Sequence, residues 1–153
     1  QLVACPIPER ADLVIAATPA TKNFVQSHKA LYNAWQAMKP GGRIVLAAPC
    51  PEGLGGEQYV KWLRLGDRAA IFAGLRKASE INGQTALSTI EKAPSAYFVT
   101  QMSDEEIGLM QSRKAATLQE AIDRALADLA ADGREQPTFW MMPSAAYTAP
   151  FAA

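Results

Sequence analysis

Several residue types that build easily recognised sites are scarce in this chain. Its 153 residues include one histidine, His28, and two cysteines, Cys5 and Cys50, which lie far apart and form no CxxC motif. A zinc or related metal site usually needs three or four His, Cys or acidic ligands at close spacing, so we predict no metal site in this chain. The isolated cysteines favour a reduced, cytoplasmic protein over a disulfide-stabilised secreted one.

Neither sign of charge is in excess, and long apolar runs are absent from the sequence. Lys and Arg number 15, and Asp and Glu also number 15. This balance provides no broad basic surface for nucleic acid or an anionic membrane. No apolar stretch approaches the roughly 20 residues that span a bilayer. We therefore expect neither a nucleic acid nor a membrane as partner.

The abundant residues are apolar, at 49% of the chain, which is enough for one compact core. We predict a single α/β domain over residues 1–153. The chain starts at Gln1 and not at a methionine. From this start we expect the domain to be part of a longer protein.

Short apolar runs alternate with amphipathic segments along the chain. Residues 12–18, DLVIAAT, predict a buried strand, whereas the apolar residues after Asn23 recur every three or four positions, as in a core-facing helix. Asn82 and Gly83 predict a turn. The predicted strands span residues 12–18, 43–48, 96–100 and 138–142, and the predicted helices span residues 23–38, 57–65, 68–79 and 85–93, with two more starting at the capping boxes Ser103–Glu106 and Thr117–Glu120. This order predicts a three-layer αβα domain with a mainly parallel, Rossmann-like sheet.

The most informative polar residues follow the first predicted strand. Asn23, Gln26, Lys29 and Asn33 recur at intervals of three or four and so share one helix face. In a parallel sheet, ligands bind at the carboxyl ends of the strands, beside the free N–H groups of the following helices. Gln26 and Lys29 therefore predict a site for a carboxylate, although such residues are also common on solvated helix surfaces. His28 falls on the apolar stripe, which favours a packed or domain-interface histidine over a catalytic one.

The residues of the loop that follows the second predicted strand leave two interpretations open. Residues 52–56, EGLGG, match neither a P-loop nor a GxGxxG fingerprint. The loop is either a flexible connection or a place where the backbone closely approaches a ligand or another domain.

The order of motifs along nearly the whole chain resembles the carboxy-terminal domain of nickel-dependent lactate racemases and related 2-hydroxy-acid racemases and epimerases. The motifs are ADLVIAAT, TPATKNFVQSHKAL, KPGGRIVLAAPCPEGLGG, INGQTAL, YFVTQMSDEE, TLQEAIDRAL and MMPSAA, in this order. The resemblance implies an α/β domain that is the carboxy-terminal half of a two-domain enzyme.

The same resemblance implies substrate-binding residues. Asn23, Gln26 and Lys29 match the family's motif after the first strand, where Gln and Lys lie beside the substrate. Val25 stands where the family has a tyrosine, and the missing hydroxyl weakens the expectation that lactate itself is the substrate. Asn82 and Gln84 occupy the place of a Gly-Gly-His motif, with Gln84 replacing the His, and are predicted near the pocket.

The reaction that the resemblance implies depends on a nickel-pincer nucleotide that takes a hydride from a small 2-hydroxy acid and returns it to either face. The family's cofactor-tethering lysine, nickel ligand and general-base histidines belong to the amino-terminal half. We therefore expect no catalytic residue in this chain, with its own amino-terminal domain as partner and no activity in its absence.

Two other functions remain open from the sequence. The segment KPGGRIVL is similar to a strand of S-adenosylmethionine-dependent methyltransferases, but no glycine-rich first turn or acidic ribose-binding residue precedes it. A Rossmann-type binding or interaction domain without a catalytic role is the other alternative. It differs in predicting no contribution of Gln26 and Lys29 to a cleft.

Overall fold

The fold is a parallel sheet with helices on both faces, seen in a computed structural model that describes residues 3–152. Within these residues the chain forms six α-helices and seven strands, and helices separate the consecutive strands of the main sheet. The helices are α1 (Phe24–Ala37), α2 (Glu57–Leu63), α3 (Arg68–Lys77), α4 (Ile81–Lys92), α5 (Asp104–Leu109) and α6 (Leu118–Ala131). The strands are β1 (Val3–Ile7), β2 (Ala11–Ala17), β3 (Met38–Ala47), β4 (Ala96–Val99), β5 (Arg113–Ala115), β6 (Phe139–Met142) and β7 (Thr148–Ala152). The predicted αβα architecture is confirmed.

The main sheet has five parallel strands in the spatial order β5-β4-β3-β2-β6. The chain moves outward from β2 to β3, β4 and β5, and α6 then carries it back across the sheet to β6 on the other side of β2. The strand order therefore reverses between β2 and β6. In open parallel sheets, such a reversal leaves a crevice at the carboxyl ends of the two strands, which is the usual place for a ligand.

The larger core lies on the α1 face of the sheet. Phe24, at the start of α1, is fully buried, and its ring contacts Tyr59 of α2 and Phe98 of β4 with centroids 6.3 and 5.7 Å apart. Leu31 and Met38, further along the same stripe, are also buried, as their spacing predicts. Burial of such side chains contributes roughly 1.5–3 kcal/mol each and fixes α1 on the sheet.

Among the described residues, α6 is the one helix that covers the opposite face of the sheet. Ala121, Ala125 and Leu129 of this helix are buried against the sheet. Phe139 and Met141 of β6 lie in register with Leu13 and Ile15 of β2 on this face, but are 62% and 67% exposed. Helices therefore cover less of this face of the sheet than of the α1 face.

Asp12, at the amino end of β2, links this strand to β3 and to the segment that precedes β6. Its carboxylate accepts hydrogen bonds from Thr138, Lys39 and Arg134 at 2.7, 3.3 and 2.9 Å. Burial acts to raise the pKa of Asp12, but the hydrogen bonds from Thr138 and Lys39 outweigh it and lower the pKa to about 2. This network lies at the sheet edge opposite the crevice and has a structural role.

Three short strands are not predicted by the sequence pattern. β1 and β7 pair in parallel as a separate two-stranded sheet, and each contains a proline, Pro6 or Pro150. β5 has only three residues. The turn predicted at Asn82 and Gly83 is wrong, because both residues lie in the first turn of α4, which begins four residues earlier than predicted.

Each of the two predicted capping boxes marks the start of a helix. At α5 both halves are present, since the Ser103 hydroxyl accepts from the Glu106 N–H and the Glu106 carboxylate accepts from the Ser103 N–H. At α6 the Thr117 hydroxyl caps the helix, but the Glu120 carboxylate accepts from the N–H of Ala116. Both helices therefore begin where the motif predicts.

No helix among residues 3–152 is both long enough and apolar enough to cross a membrane. Cys5 and Cys50 are both free thiols.

Candidate functional site

The carboxyl edge of the main sheet carries the loops that the sequence singles out, and hydrogen bonds hold them together. The loop after β2 meets the loop after β3, where the Glu52 N–H donates to the Lys22 carbonyl at 2.9 Å. The loop after β4 meets the same segment, where the Gln101 N–H donates to the Pro49 carbonyl at 2.9 Å. These loops therefore form one fixed rim around the start of α1.

The first turn of α1 is already saturated with hydrogen bonds. The N–H groups of Phe24 and Val25 donate to the carbonyls of Gly53 and Leu54 at 3.0 and 3.2 Å. The next N–H, that of Gln26, donates to the side-chain oxygen of Asn23, which caps the helix. The expectation that free helix N–H groups bind an anion is therefore wrong, and any anion here depends on side chains.

The glycine-rich loop, residues 52–56, packs against the start of this helix. Gly53 has φ +67°, and a Cβ at this position would lie 2.1 Å from Oε1 of Glu106. That carboxylate accepts hydrogen bonds from the Leu54 N–H at 2.9 Å and the Ser103 N–H at 2.8 Å. Burial acts to raise the pKa of Glu106, but the hydrogen bonds from the Ser103 and Leu54 N–H groups outweigh it and lower the pKa. The backbone of this loop therefore packs against the chain's own α1 and α5, and an approach to a ligand or another domain stays a prediction.

Cys50, in the same loop, is a buried thiol in the left-handed backbone region, with φ 47°. Its sulfur lies 3.3 Å from the hydroxyl of Ser27. Burial raises the pKa of the Cys50 thiol. A neutral, enclosed thiol is a poor nucleophile, so Cys50 belongs to the packing of the rim.

Gln26 and Lys29 lie one turn apart in the first half of α1, and both are exposed. The Gln26 side-chain oxygen accepts a hydrogen bond from the Lys22 N–H at 3.2 Å, which turns its amide toward the β2 loop. Lys29 takes part in no ion pair among residues 3–152. An exposed ammonium without a counter-ion can bind the carboxylate of a small ligand.

A groove lies beside Lys29, between α1 and the 3-10 turn Ala145–Tyr147 that follows β6. It has a volume of about 320 Å³ and is lined by His28, Lys29, Tyr32, Asn33 and Ala146. We call it the α1 groove. Because α1 follows β2 and the turn follows β6, the groove lies where the strand order reverses, at the expected position for a ligand.

Asn33, expected on the polar face with Lys29, is buried at 8% exposure. Its side-chain amide donates a hydrogen bond to the Ala145 carbonyl at 2.7 Å and so joins α1 to the far wall of the groove. The sequence pattern identifies Asn33 as polar but does not reveal this bond. Tyr32 and Ala146 were also missed, although Ala146 falls in the MMPSAA motif.

His28 is packed, as its place on the apolar stripe predicts. Burial lowers its pKa to about 4, with a smaller contribution from the nearby Lys92 ammonium, so the ring is neutral at pH 7. Its Nε2 atom is buried without a hydrogen-bond partner in the described part of the chain. No three His, Cys, Asp or Glu side chains among residues 3–152 are grouped as a metal ion would need.

Asn82 and Gln84 lie in the first turn of α4 and do not line the α1 groove. Gln84 is exposed and donates weakly to the Ser79 hydroxyl at 3.4 Å, while Gly83 packs under Trp62. No hydrogen bond in the described residues links Asn82 or Gln84 to Gln26 or Lys29. The structure thus places Gln26 and Lys29 on one surface. It does not join Asn82 or Gln84 to that surface by a hydrogen bond among residues 3–152, and a role of these two residues in a pocket stays a prediction.

One family model and two known proteins are similar to this chain. The family model described as the lactate racemase C-terminal domain matches residues 8–136. A lactate racemase of Thermoanaerobacterium thermosaccharolyticum is 39% identical over 57 residues, which are 35% of this chain and 13% of that protein. The solved lactate racemase apoprotein of the same organism has a TM-score of 0.79 and 23% identity, over 97% of this chain. The chain spans 37% of the length of that structure, and at this identity the likeness shows the fold.

Proposed function

Because the chain belongs to the family of lactate racemase C-terminal domains, we propose that it is the substrate-orienting domain of a 2-hydroxy-acid racemase or epimerase. The family membership excludes the methyltransferase alternative. The observation that carries the proposal is the position of Lys29. This side chain is exposed, has no counter-ion among residues 3–152 and lies beside the groove at the strand-order reversal.

The task of this domain is to hold and orient the substrate. The Lys29 ammonium pairs with the carboxylate of the 2-hydroxy acid, and Gln26, one turn earlier, donates its side-chain amide to a substrate oxygen. The hydrogen-bonded rim fixes the start of α1, so both side chains extend from a rigid element. Such positioning lowers the entropic part of the barrier, because the substrate is held in the reacting geometry before the chemical step.

The cofactor belongs to a different part of the enzyme in this proposal. A nickel-pincer nucleotide, when bound, would supply the hydride chemistry of the family. The described residues of this chain do not fit such a group, since they contain no cluster of metal ligands and the Nε2 atom of His28 is buried. We therefore assign the cofactor and the acid–base residues to an amino-terminal domain, and the enzyme to the cytoplasm, where the free thiols of Cys5 and Cys50 remain reduced.

The test is Lys29→Ala in the full-length enzyme that carries this domain, with steady-state kinetics and nickel content measured in parallel. A charge-assisted hydrogen bond contributes about 1.5–3 kcal/mol, so kcat/KM should fall roughly 10- to 150-fold at unchanged nickel content. Gln26→Ala should cost less, about 1 kcal/mol, because its amide is neutral. Lys29→Arg should restore activity only in part, because a planar guanidinium does not match a compact ammonium.

Lys77→Ala is the matched control, because Lys77 is exposed at the end of α3 and does not line the α1 groove. It should retain wild-type kinetics. Wild-type activity in Lys29→Ala as well would show that Lys29 is a solvated surface charge. That result would favour the alternative of a binding domain without a catalytic role.

A further inference from the structure

The α1 groove is mostly apolar, and its one exposed charge is at Lys29. Its lining consists of the His28 and Tyr32 rings, the methyl group of Ala146 and the edge of Asn33, with the Lys29 ammonium as the cationic group. The His28 ring is uncharged at neutral pH because burial lowers its pKa to about 4. The Asn33 amide is already bonded to Ala145. A ligand in the groove would therefore meet a hydrophobic surface next to a single positive charge.

Interactions outside the groove hold its walls in place. Behind Tyr32, the ammonium of Lys92 lies 5.4 Å from the ring centroid, at a distance typical of a cation–π contact. On the other side, the 2.7 Å hydrogen bond of Asn33 fixes the turn that carries Ala146. The groove therefore exists before any ligand binds, which reduces the ordering cost of binding.

The groove is much larger than a methyl group. Pockets for small ligands have volumes of roughly 300–1,000 Å³, and the α1 groove, at about 320 Å³, reaches the lower end of that range. Lactate bound through Lys29 would place only one methyl group there and leave most of the apolar surface in contact with water.

We propose that the α1 groove receives the side chain of the substrate, so that the enzyme prefers 2-hydroxy acids with a branched aliphatic or aromatic side chain over lactate. This inference rests on the proposed function, because it takes Lys29 as the partner of the substrate carboxylate. The carboxylate and the side chain of a 2-hydroxy acid are both attached to the α-carbon. A cation at the border of an apolar groove can therefore contact both at once.

The experiment compares kcat/KM for lactate, 2-hydroxyisocaproate and 3-phenyllactate in the nickel-loaded full-length enzyme. Each methylene buried in the groove should raise kcat/KM about 4-fold. 2-Hydroxyisocaproate carries three more carbons than lactate, so its kcat/KM should exceed that of lactate by on the order of 10- to 60-fold.

Two variants test whether the α1 groove causes this preference. Ala146→Leu fills the groove and should lower the ratio of 2-hydroxyisocaproate to lactate about 10-fold or more. Tyr32→Ala removes one wall and should also lower the ratio, without placing a larger residue in a packed site. If Ala146→Leu fails to fold, Ala146→Val introduces a smaller change at the same position and should lower the ratio less.

The outcomes separate this inference from the proposed function. A preference for lactate, or a ratio unchanged in the groove variants, would overturn the inference and leave the proposed function intact. Lys29→Ala should lower kcat/KM for all three acids by a similar factor, because it acts on their common carboxylate. If the loaded enzyme turns over no 2-hydroxy acid, both are wrong.

Discussion

The side-chain amide of Asn33 donates a 2.7 Å hydrogen bond to the carbonyl oxygen of Ala145, which lies 112 residues later in the chain. This bond joins α1, which carries Gln26 and Lys29, to the turn that follows β6. The two segments come from neighbouring strands at the reversal of strand order. A buried hydrogen bond at this point therefore fixes the width of the α1 groove.

Replacing Asn33 should reduce stability. Asn33→Ala leaves the buried Ala145 carbonyl without its partner, which should lower the free energy of unfolding by about 1–3 kcal/mol. Asn33→Asp should be worse, because a carboxylate would face a carbonyl oxygen. Urea denaturation of the variants measures the effect, and Gln58→Ala, at an exposed position on α2, should stay within about 0.5 kcal/mol of wild type. A similarly small change in Asn33→Ala would show that water replaces the bond.

Gly53 and Glu106 should be energetically coupled. Gly53→Ala adds a methyl group 2.1 Å from the Glu106 carboxylate at a residue with φ +67°, and should destabilise the protein by about 2–3 kcal/mol. In a Glu106→Ala background the clash is absent and only the backbone cost of about 1–2 kcal/mol remains. Denaturant unfolding of the four proteins in a double-mutant cycle measures this coupling.

Gly108→Ala is the matched control for this cycle. Gly108 lies in α5, and a Cβ there would meet no atom within 4 Å. Because alanine is a better helix former than glycine, this change should stabilise the protein by up to about 1 kcal/mol. Strictly additive effects of Gly53→Ala and Glu106→Ala would contradict the contact between the two residues.

The sequence predicts the elements whose signal is local. β2, α1 and β3 follow from an apolar run, a stripe of apolar residues at helical spacing and a second apolar run, and all three are confirmed. β1 and β7 are paired across more than 140 residues, and each contains a proline, so neither has a local strand pattern. Asn82 and Gly83 usually favour turns, but here packing of Gly83 beneath Trp62 holds them in α4.

For the candidate site, too, the sequence predicts only the features that depend on neighbouring residues. Helical periodicity places Gln26 and Lys29 on one exposed face of α1. The saturation of the α1 N–H groups by Gly53 and Leu54 depends on the path of a loop some thirty residues later, which no local pattern specifies. The burial of Asn33 likewise depends on a partner at the other end of the chain.

His28 should titrate far below the usual range of a histidine. Burial favours its neutral form and lowers the pKa to about 4, whereas an unfolded chain has a histidine pKa near 6.5. Between these values the unfolded state binds the extra proton, so the free energy of unfolding should decrease as the pH falls from about 6.5 to 4. The ring is needed in its neutral form if the α1 groove is to remain apolar. Because His28 is the single histidine of the sequence, its proton resonance can be followed by NMR without a second signal. A midpoint near 6.5 would show that the ring is open to water. His28→Phe should remove most of the decrease in stability between pH 6.5 and about 5, whereas carboxylates with a lowered pKa, such as Asp12 and Glu106, contribute at lower pH.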